Sequence, residues 1–251
     1  YYHALSKFSF IIITMQIQNS TFVVTGASSG IGLQVAHELA KKGAKLILIA
    51  RTESELQKFL EEYGNLHTYF ICDLSQEKQV VELVKKIKAA VLKIDGLLNI
   101  AGVGIYNALE NITLQEWNET FDLGVKAPFL LTQGLIADLR SSQHSLVLNI
   151  GSGAGVTPMV ARSLYCASKF ALRGFTLSLA EEFKGKSPLF CLITLGSTAT
   201  NFGGTSIEEK KAQAAKGKAY FSVQWVAQKL VSIIEDDARE VEITLVPSNS
   251  I

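Results

Sequence analysis

The feature that most constrains this chain is a rhythm. From Thr21 onward, short apolar runs alternate with longer stretches whose apolar positions recur at helical spacing. Thr21–Thr25 (TFVVT), Lys45–Ala50 (KLILIA) and Leu189–Leu195 (LFCLITL) read as buried strands. Further strands are predicted at 68–72, 96–100, 145–150 and 241–246. Helices are predicted at 31–42, 54–63, 77–92, 114–140, 163–183 and 223–234, the fourth interrupted near Gly124 and Pro128. Strands that are apolar throughout must be covered on both faces, and strict strand–helix alternation makes the sheet parallel with right-handed crossovers. The expected fold is α/β: a doubly wound, Rossmann-type parallel sheet of about seven strands with helices on both faces. Only 200–220, polar and rich in Gly, Lys and Ala, breaks the rhythm, and a long insertion there reads as a lid.

The chain's 251 residues, 48% of them hydrophobic, supply one sizeable core, so residues 15–251 are expected to form a single domain. Residues 1–14 precede the first methionine, Met15. Their apolar run FSFIIIT is too short for a signal peptide, so they are expected to be a non-native or poorly ordered extension. Lys and Arg total 24 against 23 Asp and Glu, which gives no electrostatic case for nucleic acid. No apolar run reaches the ~18 residues of a membrane span. Cys72, Cys166 and Cys191 form no pair, and His3, His37, His67 and His144 are scattered, so no metal site is expected. Reduced, buried thiols fit a cytoplasmic protein.

After the first strand comes Thr25-Gly26-Ala27-Ser28-Ser29-Gly30-Ile31-Gly32, then a helix. Gly26 allows a tight turn, Gly30 lets the backbone approach a pyrophosphate, and Gly32 permits close helix–strand contact. The helix start aims its unpaired N–H groups and positive dipole end at that phosphate. A glycine-rich turn between a strand and a helix is the context that marks dinucleotide binding. Where an NAD site carries an acid, at the end of the second strand, this chain has Ala50 and then Arg51. A guanidinium can grip a 2′-phosphate, which favours NADP(H).

Tyr165-Cys166-Ala167-Ser168-Lys169 opens a predicted helix and puts Tyr165 and Lys169 on one face. A nearby ammonium stabilises tyrosinate, so the phenol's pKa is expected to fall from about 10 toward the working range. Such a Tyr can give a proton to a carbonyl oxygen or take one from an alcohol. Ser152, directly after a strand, can hold the substrate oxygen beside it.

With these residues in view, the chain resembles the short-chain dehydrogenase/reductase family from about Ser20 to Val246. TGASSGIG resembles its cofactor loop, Asp73-Leu74 its adenine-contacting pair, and Asn99-Ile100-Ala101-Gly102 its N-x-A-G motif. Ser152, Tyr165 and Lys169 match its catalytic Ser, Tyr and Lys, while Gly196, Thr198 and Thr200 resemble its nicotinamide-contacting segment. The resemblance implies hydride transfer between a nicotinamide ring and a small-molecule carbonyl or alcohol. In it Tyr165 serves as acid or base, Lys169 lowers its pKa and holds the ribose, and Ser152 orients the oxygen. It also implies a homodimer or homotetramer, to which the apolar stripe in 170–179 is as well suited as to burial against the chain's own sheet.

Two positions depart from the family pattern. Gly124 stands where the family usually carries an Asn that holds a water near the lysine, and Leu195 replaces a common Pro, which is expected to loosen that turn. Gly124 keeps a second reading open, a weak or inactive NADP-binding sensor or structural protein. An epimerase or dehydratase is disfavoured by the short C-terminal part. The crevice roof is expected from 103–111, 157–163 and 200–220; Lys210, Lys211, Lys216 and Lys218 there could contact an acidic carrier or a phosphorylated substrate, but a solvated helical face is the preferred reading.

Overall fold

The computed structural model describes residues 15–247; the expectation for 1–14 lies outside them. The strands are β1 (Thr21–Thr25), β2 (Lys45–Ala50), β3 (Thr68–Ile71), β4 (Gly96–Asn99), β5 (Leu146–Ile150), β6 (Leu189–Leu195) and β7 (Glu242–Leu245). They form one parallel sheet in the order β3-β2-β1-β4-β5-β6-β7. Strand order reverses between β1 and β4, so the two chain segments leaving their carboxyl ends diverge and open a crevice there.

The helices are α1 (Gly30–Lys41), α2 (Glu53–Tyr63), α3 (Glu77–Ala90), α4 (Leu114–Phe121), α5 (Ala127–Arg140), α6 (Ser163–Glu182), α7 (Ile207–Ala214) and α8 (Val223–Glu235). The alternating residues of the central strands feed two cores. Phe22, Val24, Leu46 and Leu48 pack with Val35 and Leu39 of α1 and Val226 and Leu230 of α8. Val23, Ile47, Ile49 and Val147 pack with Val80 and Leu83 of α3 and Leu131 and Leu135 of α5. The sheet is thus covered on both faces, as its unbroken apolar strands require.

The interruption expected near Gly124 is a π-helical turn, Asp122–Lys126, between α4 and α5. Pro128 is the second residue of α5, directly after the π-helical turn; lacking an N–H, it cannot donate back along the helix, which fits a break in the α pattern at this point. Leu195 does not loosen the turn after β6. The strand runs through it in register with Leu245, and the Gly196 N–H donates to the Leu245 carbonyl at 2.8 Å. Arg173 of α6 holds Glu242 of β7 with two 2.8 Å hydrogen bonds, and Thr194 donates to the same carboxylate.

Within 200–220 the rhythm hides a short helix. α7 starts at a capping box in which Ser206 and Glu209 satisfy each other's backbone N–H groups. Cys72, Cys166 and Cys191 are buried free thiols. Among the described residues no helix is long and apolar enough to cross a membrane, and no cluster of His, Cys, Asp or Glu could hold a metal ion.

Candidate active site

The glycine loop leaves β1 and turns into α1 at the carboxyl end of the sheet. Gly26 has φ +69°, and a Cβ there would lie 3.1 Å from the Ala101 Cα. Gly32 is tighter: a Cβ would stand 2.3 Å from the Gly26 carbonyl oxygen. The loop therefore folds back on itself and on the turn after β4 with no room for side chains. Thr25 fastens the same junction, its hydroxyl accepting from the Ile100 and Ala101 N–H groups at 2.9 and 3.0 Å and donating to the Leu98 carbonyl.

Ser29 caps α1 from extended backbone with no side-chain hydrogen bond, and no acid stands in the first turn. The positive end of α1 is left to an outside anion. Ser28 and Ile31 are half-buried beside it, and the space above Gly30 meets only the Thr200 methyl at 3.6 Å. This cradle of bare backbone fits a pyrophosphate.

A cleft of about 560 Å³ lies at the β2–β3 side of the loop and is lined by Arg51, Asp73, Ser75, Gln76, Asn118 and Asp122, among others. Arg51 is exposed there. Asp73 accepts from the Ser75 N–H and hydroxyl, which fixes its carboxylate at the rim. Leu74 is turned into the core instead. Asn99 is buried, donating to Asn149 Oδ1 at 2.8 Å, and Asn149 donates to Thr176, so this chain of amides ties β4, β5 and α6 together. The Asn99 Oδ1 atom is buried without a partner among the described residues.

Tyr165 and Lys169 project from the first two turns of α6, and Ser152 stands just after β5. The Lys169 Nζ lies 5.9 Å from the Tyr165 ring centre and donates to the Ile150 carbonyl at 2.8 Å. A Cβ at Gly102 would meet the same Nζ at about 4.0 Å. The Ser152 hydroxyl accepts from the Ala154 N–H at 3.2 Å, which orients it. The structure thus brings Ser152, Tyr165 and Lys169 to one place beside the Asn99–Gly102 turn.

The electrostatics differ from the sequence expectation. Burial pushes the Tyr165 phenol up, and its hydrogen bond with Ser152 only partly opposes this. Burial pushes the Lys169 ammonium down to about 8. Desolvation penalises both charged forms, and it outweighs the attraction of an amine held 5.9 Å from the ring centre by a backbone carbonyl.

Gly124 is buried in the π-helical turn against Ser168. A Cβ would meet Ser168 at 3.7 Å, an ordinary contact, so close packing does not demand glycine. The Ser168 hydroxyl is already engaged with the Tyr165 carbonyl at 2.8 Å. Thr198 is buried in an isolated bridge with Phe221, and Thr200 reaches over the glycine loop.

Two side chains of the roof, Tyr106 and Phe202, were not singled out in the sequence. Tyr106 packs edge-on against Tyr165, ring centres 5.4 Å apart, and Phe202 lies tilted over it at 5.9 Å. Phe202 also covers Gly102 and Gly104. Lys210, placed on a solvated face by the sequence reading, is instead buried, and its ammonium donates to the Thr200 and Phe202 carbonyls at 2.6 and 2.9 Å. Lys211, Lys216 and Lys218 are exposed, but Lys216 and Lys218 lie beyond the end of α7 and not on its face. Helical spacing could not mark Lys210 as the inward one, because its partners belong to the turn before the helix.

A family model described as short chain dehydrogenase matches residues 20–211. A short chain dehydrogenase of Pseudocercospora fijiensis is 30% identical over 193 residues, covering 75% of this chain and 62% of that protein. L-xylulose reductase of Caenorhabditis elegans is 29% identical over 224 residues, 86% of this chain and 88% of that protein. A metagenomic short-chain oxidoreductase in complex with NADP superposes with a TM-score of 0.76 at 25% identity, over 93% of this chain and 100% of that one. With the glycine loop, the Tyr-x-x-x-Lys helix and the sheet order in place, the chain belongs to the short-chain dehydrogenase family of oxidoreductases.

Proposed function

We propose that this protein is an NADP(H)-dependent oxidoreductase that reduces a carbonyl to an alcohol, reversibly, with Tyr165 as the acid and base. The observation that carries the proposal is the meeting of Ser152, Tyr165 and Lys169 beside a backbone cradle shaped for pyrophosphate. Bound NADPH supplies the hydride. The bare glycine loop and the α1 start hold the pyrophosphate, and Arg51 takes the 2′-phosphate. Asp73 lies at the adenosine end, and Asn99, Ala101, Gly102, Thr198 and Thr200 border the nicotinamide end. The NADP-bound relative supports this choice of cofactor.

Tyr165 gives its phenolic proton to the carbonyl oxygen. Its raised pKa keeps that proton in place at neutral pH. Ser152 donates to the same oxygen and steadies its growing charge. The Lys169 ammonium stabilises the phenolate left behind. Oxidation runs the same steps backwards.

Consumption of NADPH with a panel of ketones and aldehydes, followed by absorbance, tests the reading. Turnover that is lost in Tyr165→Phe while NADPH binding persists supports it. NADPH binding without turnover of any carbonyl would favour the sensor that Gly124 left open. Self-association is part of the proposal: Phe129 of α5 and Phe170 of α6 are 38% and 43% exposed on the pair of helices flanking the site. Sedimentation would show a dimer or tetramer. Three buried free thiols suit a reducing, cytoplasmic setting.

A further inference from the structure

Beside the aromatic rings that pack on Tyr165 stands one cation, Arg162. Arg162 enters α6 three residues before Tyr165 and lays its guanidinium carbon 4.2 Å from the centre of the Tyr106 ring. That ring is the one packed edge-on against Tyr165. The cation is therefore one aromatic ring away from the proton donor. Its remaining hydrogen bond goes to the Met159 sulfur at 3.6 Å, a weak acceptor.

The other charged groups nearby are engaged. Lys169 is buried on the Ile150 carbonyl, and Lys210 is buried on the carbonyls of Thr200 and Phe202. Arg173, farther along α6, is paired with Glu242. Among the described residues no carboxylate lies within ion-pair distance of Arg162. Arg162 is only half-buried, so its outer edge is reachable. The residue before it, Ala161, sits at φ +55°, a left-handed conformation that side-chain-bearing residues adopt at a cost. That turn sets the direction in which the chain delivers Arg162 to the helix.

A planar guanidinium with open donors, one face covered by an aromatic ring, is suited to bidentate capture of a carboxylate. Tyr106 and Phe202, the rings packed on Tyr165, carry no charge that would compete for the anion. We infer that Arg162 is the specificity-determining residue of this site and selects carbonyl substrates that carry a carboxylate, short oxo acids over their neutral esters and amides. The inference rests on the carbonyl-reductase reading given above. The oxo group meets Tyr165 and Ser152, the carboxylate meets Arg162, and the short apolar link between them lies along Tyr106 and Phe202.

The test compares acetoacetate and levulinate with their methyl esters, using NADPH, in the native protein, Arg162→Leu and Arg162→Lys. At least one acid is expected to exceed its ester in kcat/KM by about tenfold or more in the native protein. Arg162→Leu should lower kcat/KM for that acid roughly 10- to 100-fold and leave the ester within about threefold, the size of one charge-assisted contact. Arg162→Lys should restore part of the loss. Equal losses on acid and ester would overturn the inference and make Arg162 a prop for Tyr106. Turnover of the esters alone would also overturn it while leaving the reductase reading intact. Calorimetric binding of the same acids to the NADP-loaded protein gives a readout independent of turnover. Binding retained in Tyr165→Phe and lost in Arg162→Leu supports the carboxylate contact even where no carbonyl is reduced. Absence of binding in the native protein sinks it.

Discussion

The two halves of the crevice are built by different means. The cradle between β1 and α1 is backbone: its shape comes from what Gly26, Gly30 and Gly32 lack, and its pieces follow one another in the chain. The roof over Tyr165 is side chain: Tyr106, Arg162, Phe202 and Lys210 arrive from three separate segments. A site made of contiguous backbone tolerates almost no change. A site made of remote side chains can be altered one contact at a time, which is where substrate choice can vary while the fold stays fixed.

The sharpest attack on this contrast is on the cradle. Gly32→Ala drives a methyl group to 2.3 Å from the Gly26 carbonyl, so the loop must move. We expect NADPH binding to be abolished and the melting temperature to fall by about 10 °C, from roughly 3 kcal/mol of overpacking. Unchanged calorimetric binding would show that the loop is not the nucleotide site. Next in size, Tyr165→Phe should cut kcat by about 10² to 10⁴-fold with cofactor affinity preserved. A variant that kept its rate would move the proton donor elsewhere.

Arg51→Ala should raise the KM for NADPH by about 10- to 100-fold and that for NADH by less than about threefold. Equal effects on both would remove Arg51 from the phosphate contact. The pH profile probes the boundary between the two regions. Lys169 titrates near 8, charged below that and neutral above it. Its ammonium supports the phenolate, so reduction should hold steady below pH 8 and fall by up to about tenfold per unit above it. Tyr165, pushed up by burial, keeps its proton across this range and does not cause the fall. A rate that rises with pH instead would reverse the assignment of Lys169. Smallest of all, Lys210→Met should raise the substrate KM by about five-fold through a looser Phe202, with kcat and NADPH affinity barely altered. A loss of NADPH binding in that variant would tie α7 to the cradle and blur the comparison.

Much of the fold could be read along the chain. The runs TFVVT, KLILIA and LFCLITL coincide with β1, β2 and β6, because a strand buried on both faces leaves an unbroken apolar signature. Helix ends drifted by a residue or two where no strong cap marks them, as at Ala90 and Glu235. α7 was hidden because its sequence, IEEKKAQA, is polar and short and carries no apolar stripe at helical spacing. Lowering of the Tyr165 pKa was expected from spacing along a helix, and burial reversed it. Spacing reports which groups are neighbours, while the dielectric around them depends on every segment that closes over the site.

Sequence alone determined the β/α rhythm, the bare loop after β1, and the placement of Tyr165 and Lys169 on one helix face, because each follows from residues close together in the chain. Only the tertiary structure decided that Phe202 and Tyr106 pack on the phenol ring, that Lys210 turns inward, and that Arg162 stacks on Tyr106 with no acid partner among the described residues. These depend on contacts between segments tens of residues apart, whose energies belong to the packed arrangement and leave no periodic trace in the order of amino acids.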